Sequence, residues 1–200
     1  MYNNGIYGGI PSSINNMVNL RYLDLHNNHL VGPMPNISNL SELELINLSQ
    51  NSLSGNAPGI STYSPSLEYI NLSENLLSGN ILRDGCELTQ LKHLILASNQ
   101  FEGGIPNCLG NINSIEHINI SENLFDGHIP TSITNLTNLK YLNLSNNSFD
   151  GELSDTWDNL QALVEVNLSY NNLTGIIPPT IGEIESIEYI LLYRNDLVGW

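Results

Sequence analysis

Apolar residues recur at fixed intervals along the chain, and polar residues fill the positions between them. In the stretch YLNLSNNSF, Leu142 and Leu144 alternate with Asn143, and this period of two predicts a short, half-buried strand. An Asn follows three residues after Leu144, and Phe149 comes two residues later. The spacing L-x-x-L-x-L-x-x-N-x-L therefore predicts one strand and one turn per unit.

This unit returns every 24 residues, apart from one step of 23. Its Asn stands at Asn4, Asn28, Asn51, Asn75, Asn99, Asn123, Asn147, Asn171 and Asn195. Because one such strand cannot bury its apolar face alone, we expect the units to stack as coils around a continuous core. We interpret the Asn column as an internal ladder that satisfies backbone groups at the turns, with a row of ligand-binding amides as the alternative.

The segment after several of these Asn residues follows the pattern x-L-x-G-x-I-P, as in FEGGIP from Phe101 and FDGHIP from Phe125, whereas the segments after Gly79 and Gly151 lack the Pro. With the 24-residue period, this pattern resembles the plant-specific class of extracellular leucine-rich repeats. That class includes receptor-like kinases, receptor-like proteins and polygalacturonase-inhibiting proteins. The resemblance implies a right-handed superhelical arc with a parallel strand ladder on the concave face. It also implies a second short strand near L-x-G and short 3-10 or irregular segments on the convex face.

The resemblance covers residues 1–200, which we expect to form a single domain of about eight repeats without either capping region. A net charge of −15 with only five Lys and Arg residues argues against nucleic acid and anionic membrane surfaces as partners. No apolar run reaches the roughly 18 residues of a membrane span, and the first residues lack the pattern of a signal peptide. We therefore expect no membrane insertion by this segment.

The two cysteines, Cys86 and Cys108, lie 22 residues apart, which is close to one period. They should fall on adjacent coils, where a disulfide is geometrically feasible. Two buried thiols remain the alternative, and the spacing fits no multi-cysteine zinc site.

Alternation along the strand predicts that the third, fifth, seventh and eighth positions of each unit point to solvent. The third-position column is rich in Tyr and His, residue types that suit a recognition surface, although β-propensity alone also favours Tyr on exposed strands. We add Asp24, which lies two residues after the first tyrosine of the column. The candidate ligand-binding set is then Tyr22, Asp24, Tyr69, His93, His117, Tyr141, Glu165 and Tyr189. Because Glu44, Glu68 and Glu116 lie nearby, we expect a face that favours a basic peptide.

His93 and His117 should be neighbours on successive strands. Three interpretations of this pair are open: two ordinary surface residues, a pH-responsive pair, or two ligands of a metal site. The metal site lacks a third ligand at fixed spacing. Ten N-x-S/T sequons occur, of which Asn36, Asn39 and Asn135 lie off the predicted concave face and are the preferred glycosylation sites.

No catalytic motif, cofactor motif or metal-ligand spacing is present, so the sequence predicts a non-enzymatic protein that needs no cofactor. The resemblance implies recognition of a peptide or protein ligand, with a co-receptor as a further partner, in defence or developmental signalling. The parent would act at the outer face of the plasma membrane or in the apoplast. The alternatives are a soluble inhibitor of a cell-wall hydrolase and a truncated receptor fragment without function.

Overall fold

The computed structural model of the chain describes residues 4–83 and 87–199. These residues form a solenoid in which each coil contributes one strand to each of two parallel sheets, both eight-stranded. The strands of the first, concave sheet are β2 (Tyr22–Asp24), β4 (Leu45–Asn47), β6 (Tyr69–Asn71), β8 (His93–Ile95), β10 (His117–Asn119), β12 (Tyr141–Asn143), β14 (Glu165–Asn167) and β16 (Tyr189–Leu191).

The second sheet follows the turn of each coil, as the resemblance implied. Its strands are β1 (Tyr7–Gly8), β3 (His29–Gly32), β5 (Ser52–Asn56), β7 (Leu76–Gly79), β9 (Gln100–Gly103), β11 (Leu124–His128), β13 (Ser148–Glu152) and β15 (Asn172–Thr174). In both sheets every strand pairs with the strands of the adjacent coils, so the order along each sheet follows the chain. The predicted leucine-rich repeat solenoid is confirmed.

Short 3-10 helices return the chain to the next strand. In the described residues they span Ser12–Asn16, Ile60–Thr62, Asn107–Asn111, Thr131–Asn135, Trp157–Asn159 and Pro179–Glu183. A proline precedes four of them and fixes φ near −65°, as at Pro130 with a φ of −67°. The G-x-I-P segment therefore sets where these four helices begin.

The core is continuous from coil to coil. Leu142 and Leu144 are essentially buried, and so are their counterparts on neighbouring strands. The rings of Phe101, Phe125 and Phe149 follow one another at 6.4 Å between centroids. Since each fully buried aliphatic or aromatic side chain contributes about 1.5–3 kcal/mol, stacking supplies the main stabilisation.

The recurring Asn forms the predicted internal ladder from Asn28 to Asn195. In a representative coil, the amide nitrogen of Asn123 donates to Leu96, Ile120 and Ser121 carbonyls at 3.0–3.2 Å, and its oxygen accepts from the Phe101 N–H at 2.9 Å. Asn4, at the start of the series, is exposed, whereas the later members are buried or half-buried. The ladder thus ties each turn to the coil before it.

The residue preceding each ladder Asn adopts a left-handed backbone, which bends the chain inward from the concave strand. The φ values lie between 52° and 60° at Asn27, Gln50, Glu74, Ser98, Glu122, Asn146, Tyr170 and Arg194. Non-glycine residues rarely adopt this conformation, and its return in every coil shows that the turn geometry requires it. The side chain at this eighth position is therefore held at one rim of the concave sheet.

Candidate functional site

The concave sheet brings the predicted third-position residues into one register. Tyr69 pairs with His93, His93 with His117, and His117 with Tyr141. Glu165 and Tyr189 continue the column on the next two strands. The predicted neighbourhood of the two histidines is confirmed, whereas a ligand-binding role for the column stays a prediction.

Four consecutive rings of this column form an aromatic ridge, defined as Tyr69, His93, His117 and Tyr141. The ring centroids are 5.4 Å apart for the Tyr69–His93 pair and 4.6 Å for each of the two following pairs, which are stacked. Because the stacked rings of His93, His117 and Tyr141 cover one another's faces, this part of the ridge presents ring edges, nitrogens and a phenol oxygen rather than open π faces. Such a surface favours hydrogen bonding over insertion of a ligand ring.

Tyr22 is separate from the aromatic ridge, because Leu45 occupies the intervening coil. The Arg21 guanidinium lies 5.7 Å from the centroid of the Tyr22 ring and forms an ion pair with Glu44. Asp24 accepts a hydrogen bond from the His26 ring at 2.6 Å. Both N-terminal candidates are therefore held by interactions within the protein.

The charges beside the ridge neutralise one another. Lys92 pairs with Glu68 at 2.8 Å, and Lys140 pairs with Glu116 at 2.7 Å. The hydrogen bond from Lys140 holds the pKa of Glu116 below its ordinary value. Glu44 is paired in the same way with a cation of the preceding coil. The concave face is consequently less acidic than the sequence suggests, since the three predicted carboxylates each have a cationic partner.

The two histidines of the ridge have lowered pKa values and are protonated less readily than a free imidazole. Burial lowers the pKa of His93 below 6.5, and the positive charges of Lys92 and Lys140 lower it further, while Glu116 opposes them. Burial also lowers the pKa of His117, with the neighbouring His93 as the next cause. Both rings are therefore neutral around neutral pH, when each has one donor and one acceptor nitrogen.

An amide row, defined as Asn119, Asn143 and Asn167, runs beside the ridge on β10, β12 and β14. Each side-chain oxygen accepts both the backbone N–H and the hydroxyl of the serine two residues later, at 3.1–3.2 Å and 2.7 Å. A backbone N–H can only donate, so the oxygen must face the serine and the NH₂ group must face away.

These NH₂ groups are available to a ligand. No acceptor in the described parts of the chain takes their hydrogens, and none of the three nitrogens is buried. The corresponding amides in earlier coils differ, because Asn71 donates to the Tyr69 hydroxyl at 3.3 Å and Asn47 contacts the His26 ring nitrogen at 3.2 Å. The coil between them carries Ile95 at this position. Among the described fifth-position amides, those whose NH₂ group contacts no other polar group of the protein are therefore on β10, β12 and β14.

The sequence pattern does not single out the amide row, since its residues share the N-x-S spacing with other sequons of the chain. The signal was present in the serine that follows each of them by two residues. The prediction that the seventh position points to solvent is wrong for Ser49, Ala97, Ser121 and Ser169, all of them buried. The hydroxyls of the three serines turn toward the fifth-position amide because it offers an acceptor within the protein.

The remaining predicted sites lie away from the concave face. Asn36, Asn39 and Asn135 are exposed, which is compatible with glycosylation and does not test it. Cys108 is the second residue of the 3-10 helix Asn107–Asn111 and is disulfide-bonded. Its predicted partner, Cys86, lies outside the described residues. Within residues 4–83 and 87–199, no group of three or more His, Cys, Asp or Glu side chains could hold a metal ion.

The repeat pattern matches a known family. The Leucine Rich Repeat family model matches more than half of the chain, at residues 19–40, 90–112, 114–136, 138–160 and 162–184. The chain belongs to the leucine-rich repeat family. No curated protein matches it.

Several solved structures are similar to it. A plant peptide hormone receptor, RGFR1 in complex with RGF2, is 35% identical with a TM-score of 0.95, covering 98% of this chain and 32% of that one. The ectodomain of the Arabidopsis thaliana receptor kinase GASSHO1/SCHENGEN3, in complex with CASPARIAN STRIP INTEGRITY FACTOR 2, is 34% identical with a TM-score of 0.93. The match covers 96% of this chain and 23% of that one.

The ectodomain of the Arabidopsis receptor kinase HAESA, in complex with an extended IDA peptide hormone, is 34% identical with a TM-score of 0.81, covering 98% of this chain and 37% of that one. The predicted resemblance to plant extracellular leucine-rich repeats is thus confirmed. The chain spans well under half the length of these receptors. Among the residues that the structure describes, no helix has the length and apolar character to span a bilayer.

Proposed function

We propose that the chain is the peptide-recognition segment of a plant receptor-like kinase or receptor-like protein, acting outside the cell in developmental or defence signalling. A peptide would lie extended across the concave sheet, and a co-receptor would be a further partner of the parent protein. The observation that carries this proposal is the amide row beside the aromatic ridge. Receptors of similar fold that were solved with peptide hormones support it.

The chemistry of the two rows suits a polypeptide main chain. The amide row offers N–H groups to carbonyl oxygens, and successive donors are separated by roughly the 4.8 Å between neighbouring strands. The ridge offers both donors and acceptors through neutral imidazoles and phenols. Because the rigid sheet fixes these groups in advance, binding needs little ordering of the receptor side chains.

The proposal is tested by replacing one donor without disturbing the strand. In Asn143→Asp, one carboxylate oxygen can still accept from Ser145, while the other presents an acceptor where the NH₂ group stood. The chain already accommodates an aspartate at this position, because Asp24 accepts the His26 N–H at 3.2 Å. Asn135→Asp, on a 3-10 helix away from the concave face, is the matched control with the same change of charge.

The measurement is the affinity of peptides selected from a random display library on the wild-type protein, determined by calorimetry. Asn143→Asp should weaken binding at least about tenfold, since a carbonyl oxygen of the ligand would lose a hydrogen bond and face a negative charge. Asn135→Asp should bind as the wild type does. Equal affinities of the two variants, or failure to select any peptide, would contradict the proposal.

A further inference from the structure

A cavity of about 290 Å³ opens at the rim of the concave sheet beside the last amide of the row. Glu122, Asn146, Asn167, Tyr170 and Tyr193 line it together with two serines. Its size is at the lower end of ligand sites, so it suits one side chain better than a whole small molecule.

Two departures from the repeat pattern meet in this cavity. The seventh position carries a small residue in six successive coils, namely Ser49, Ser73, Ala97, Ser121, Ser145 and Ser169. The next coil places Tyr193 there, and Tyr170 is the aromatic member of the eighth-position column. The solenoid forms with small side chains at the seventh position, so the scaffold does not require a phenol ring in this place.

The two tyrosines form an aromatic corner. Their ring centroids lie 5.3 Å apart at an interplanar angle of 79°, and half of each side chain is exposed. An edge-to-face pair leaves part of a ring face open, unlike the stacked rings of the aromatic ridge. Exposed phenol faces attract cations, above all the planar guanidinium of arginine.

The charge of the lining has the complementary sign. Glu122 is the charged residue among those that line the cavity. One of its carboxylate oxygens accepts from the Ser98 hydroxyl at 2.8 Å, which leaves further acceptor sites on the group. None of the residues that line the cavity is a lysine or an arginine. A cation bound there would therefore come from a ligand.

We propose that this cavity is the subsite for an arginine side chain of the bound peptide. The guanidinium would lie against the corner of Tyr170 and Tyr193 and pair with Glu122, while the adjacent Asn167 amide holds a main-chain carbonyl of the same peptide. The inference rests on the proposed function for the peptide context, but the recognition of a guanidinium by these three side chains can be tested independently.

The test is an NMR titration of the whole protein with N-acetyl-arginine amide, using N-acetyl-citrulline amide as the neutral probe of the same shape. The arginine probe should produce saturable shifts in the signals of Glu122, Tyr170 and Tyr193, and the citrulline probe should not. Glu122→Gln and Tyr193→Ser should each weaken arginine binding about tenfold or more, which is the scale expected for a charged hydrogen bond or a desolvated cation–π contact.

The control variant is Glu74→Gln, because Glu74 occupies the same eighth position and contacts Gln50 rather than this cavity. It should leave arginine binding unchanged. The inference is overturned if the arginine probe does not bind, if Glu122→Gln binds it as well as the wild type, or if neutral or acidic sugar oligomers shift these signals and arginine does not. If arginine binds here but no peptide can be selected, the subsite stands and the proposed function fails.

Discussion

The internal ladder gives the sharpest test of the fold, and Asn123→Ala is the change that isolates it. Asn123 is 8% exposed, and its amide forms four hydrogen bonds with backbone groups of two coils. Alanine leaves the Phe101 N–H without an acceptor and deprives the carbonyls of a shared donor. An unsatisfied buried polar group costs about 1–3 kcal/mol, so the loss of unfolding free energy should reach about 3–5 kcal/mol.

Urea unfolding followed by fluorescence of the buried Trp157 measures this loss. The matched control is Asn138→Ala, because Asn138 is exposed and donates a single hydrogen bond, to the Asn113 carbonyl at 2.8 Å. It should cost less than about 1 kcal/mol. Hydrogen exchange adds a local readout, since the Phe101 amide should lose its protection in Asn123→Ala. Equal costs for the two variants would refute the reasoning.

Three further predictions concern single groups. Trp157→Phe should lower the free energy of unfolding by less than about 1.5 kcal/mol, because the indole N–H that it removes is buried without a partner in the described structure. Trp157→Ala should lower it by about 3–5 kcal/mol, and thermal unfolding compares the two variants. Because the pKa values of His93 and His117 are lowered in the folded state, their contribution to stability is complete above about pH 6.5 and is lost as the pH falls through the folded-state pKa values. In a variant with both histidines changed to Gln, the urea midpoints at about pH 7.5 and about pH 5 should therefore differ less than they do in the wild type. In Lys140→Met the pKa of Glu116 should rise toward its ordinary value, as an NMR titration would show.

The backbone was predictable because each element depends on residues close in sequence. Leu142 and Leu144 fix the buried face of their strand, and the position of the ladder Asn fixes the turn. Stacking then follows from the repetition itself, since the same apolar positions must meet from coil to coil. The register of the ridge could be predicted for the same reason, because equal spacing in the sequence places His93 beside His117.

The side-chain chemistry of the concave face was less predictable, because it depends on contacts between coils and within turns. The sequence alone gives Glu116 as a free carboxylate, whereas in the structure it forms an ion pair with Lys140 of the next coil. Stacking of the rings could not be inferred from His117 or Tyr141 alone, although it decides that ring edges rather than ring faces are exposed. The direction of the Asn143 amide required the geometry of the serine beside it.

The fifth and seventh positions vary together, and the open donors occupy only the part of the sheet that follows the coil with Ile95. Where the fifth residue is Asn, the seventh is a serine that donates to it, and the coil with Ile95 carries Ala97 instead. Because Ile95 offers no amide, β8 interrupts the column of amides. On one side of it the NH₂ groups of Asn47 and Asn71 contact neighbouring side chains, and on the other side the NH₂ groups of the amide row do not. Repetition thus supplies a uniform array of donors, and departures from repetition decide which of them a ligand can use.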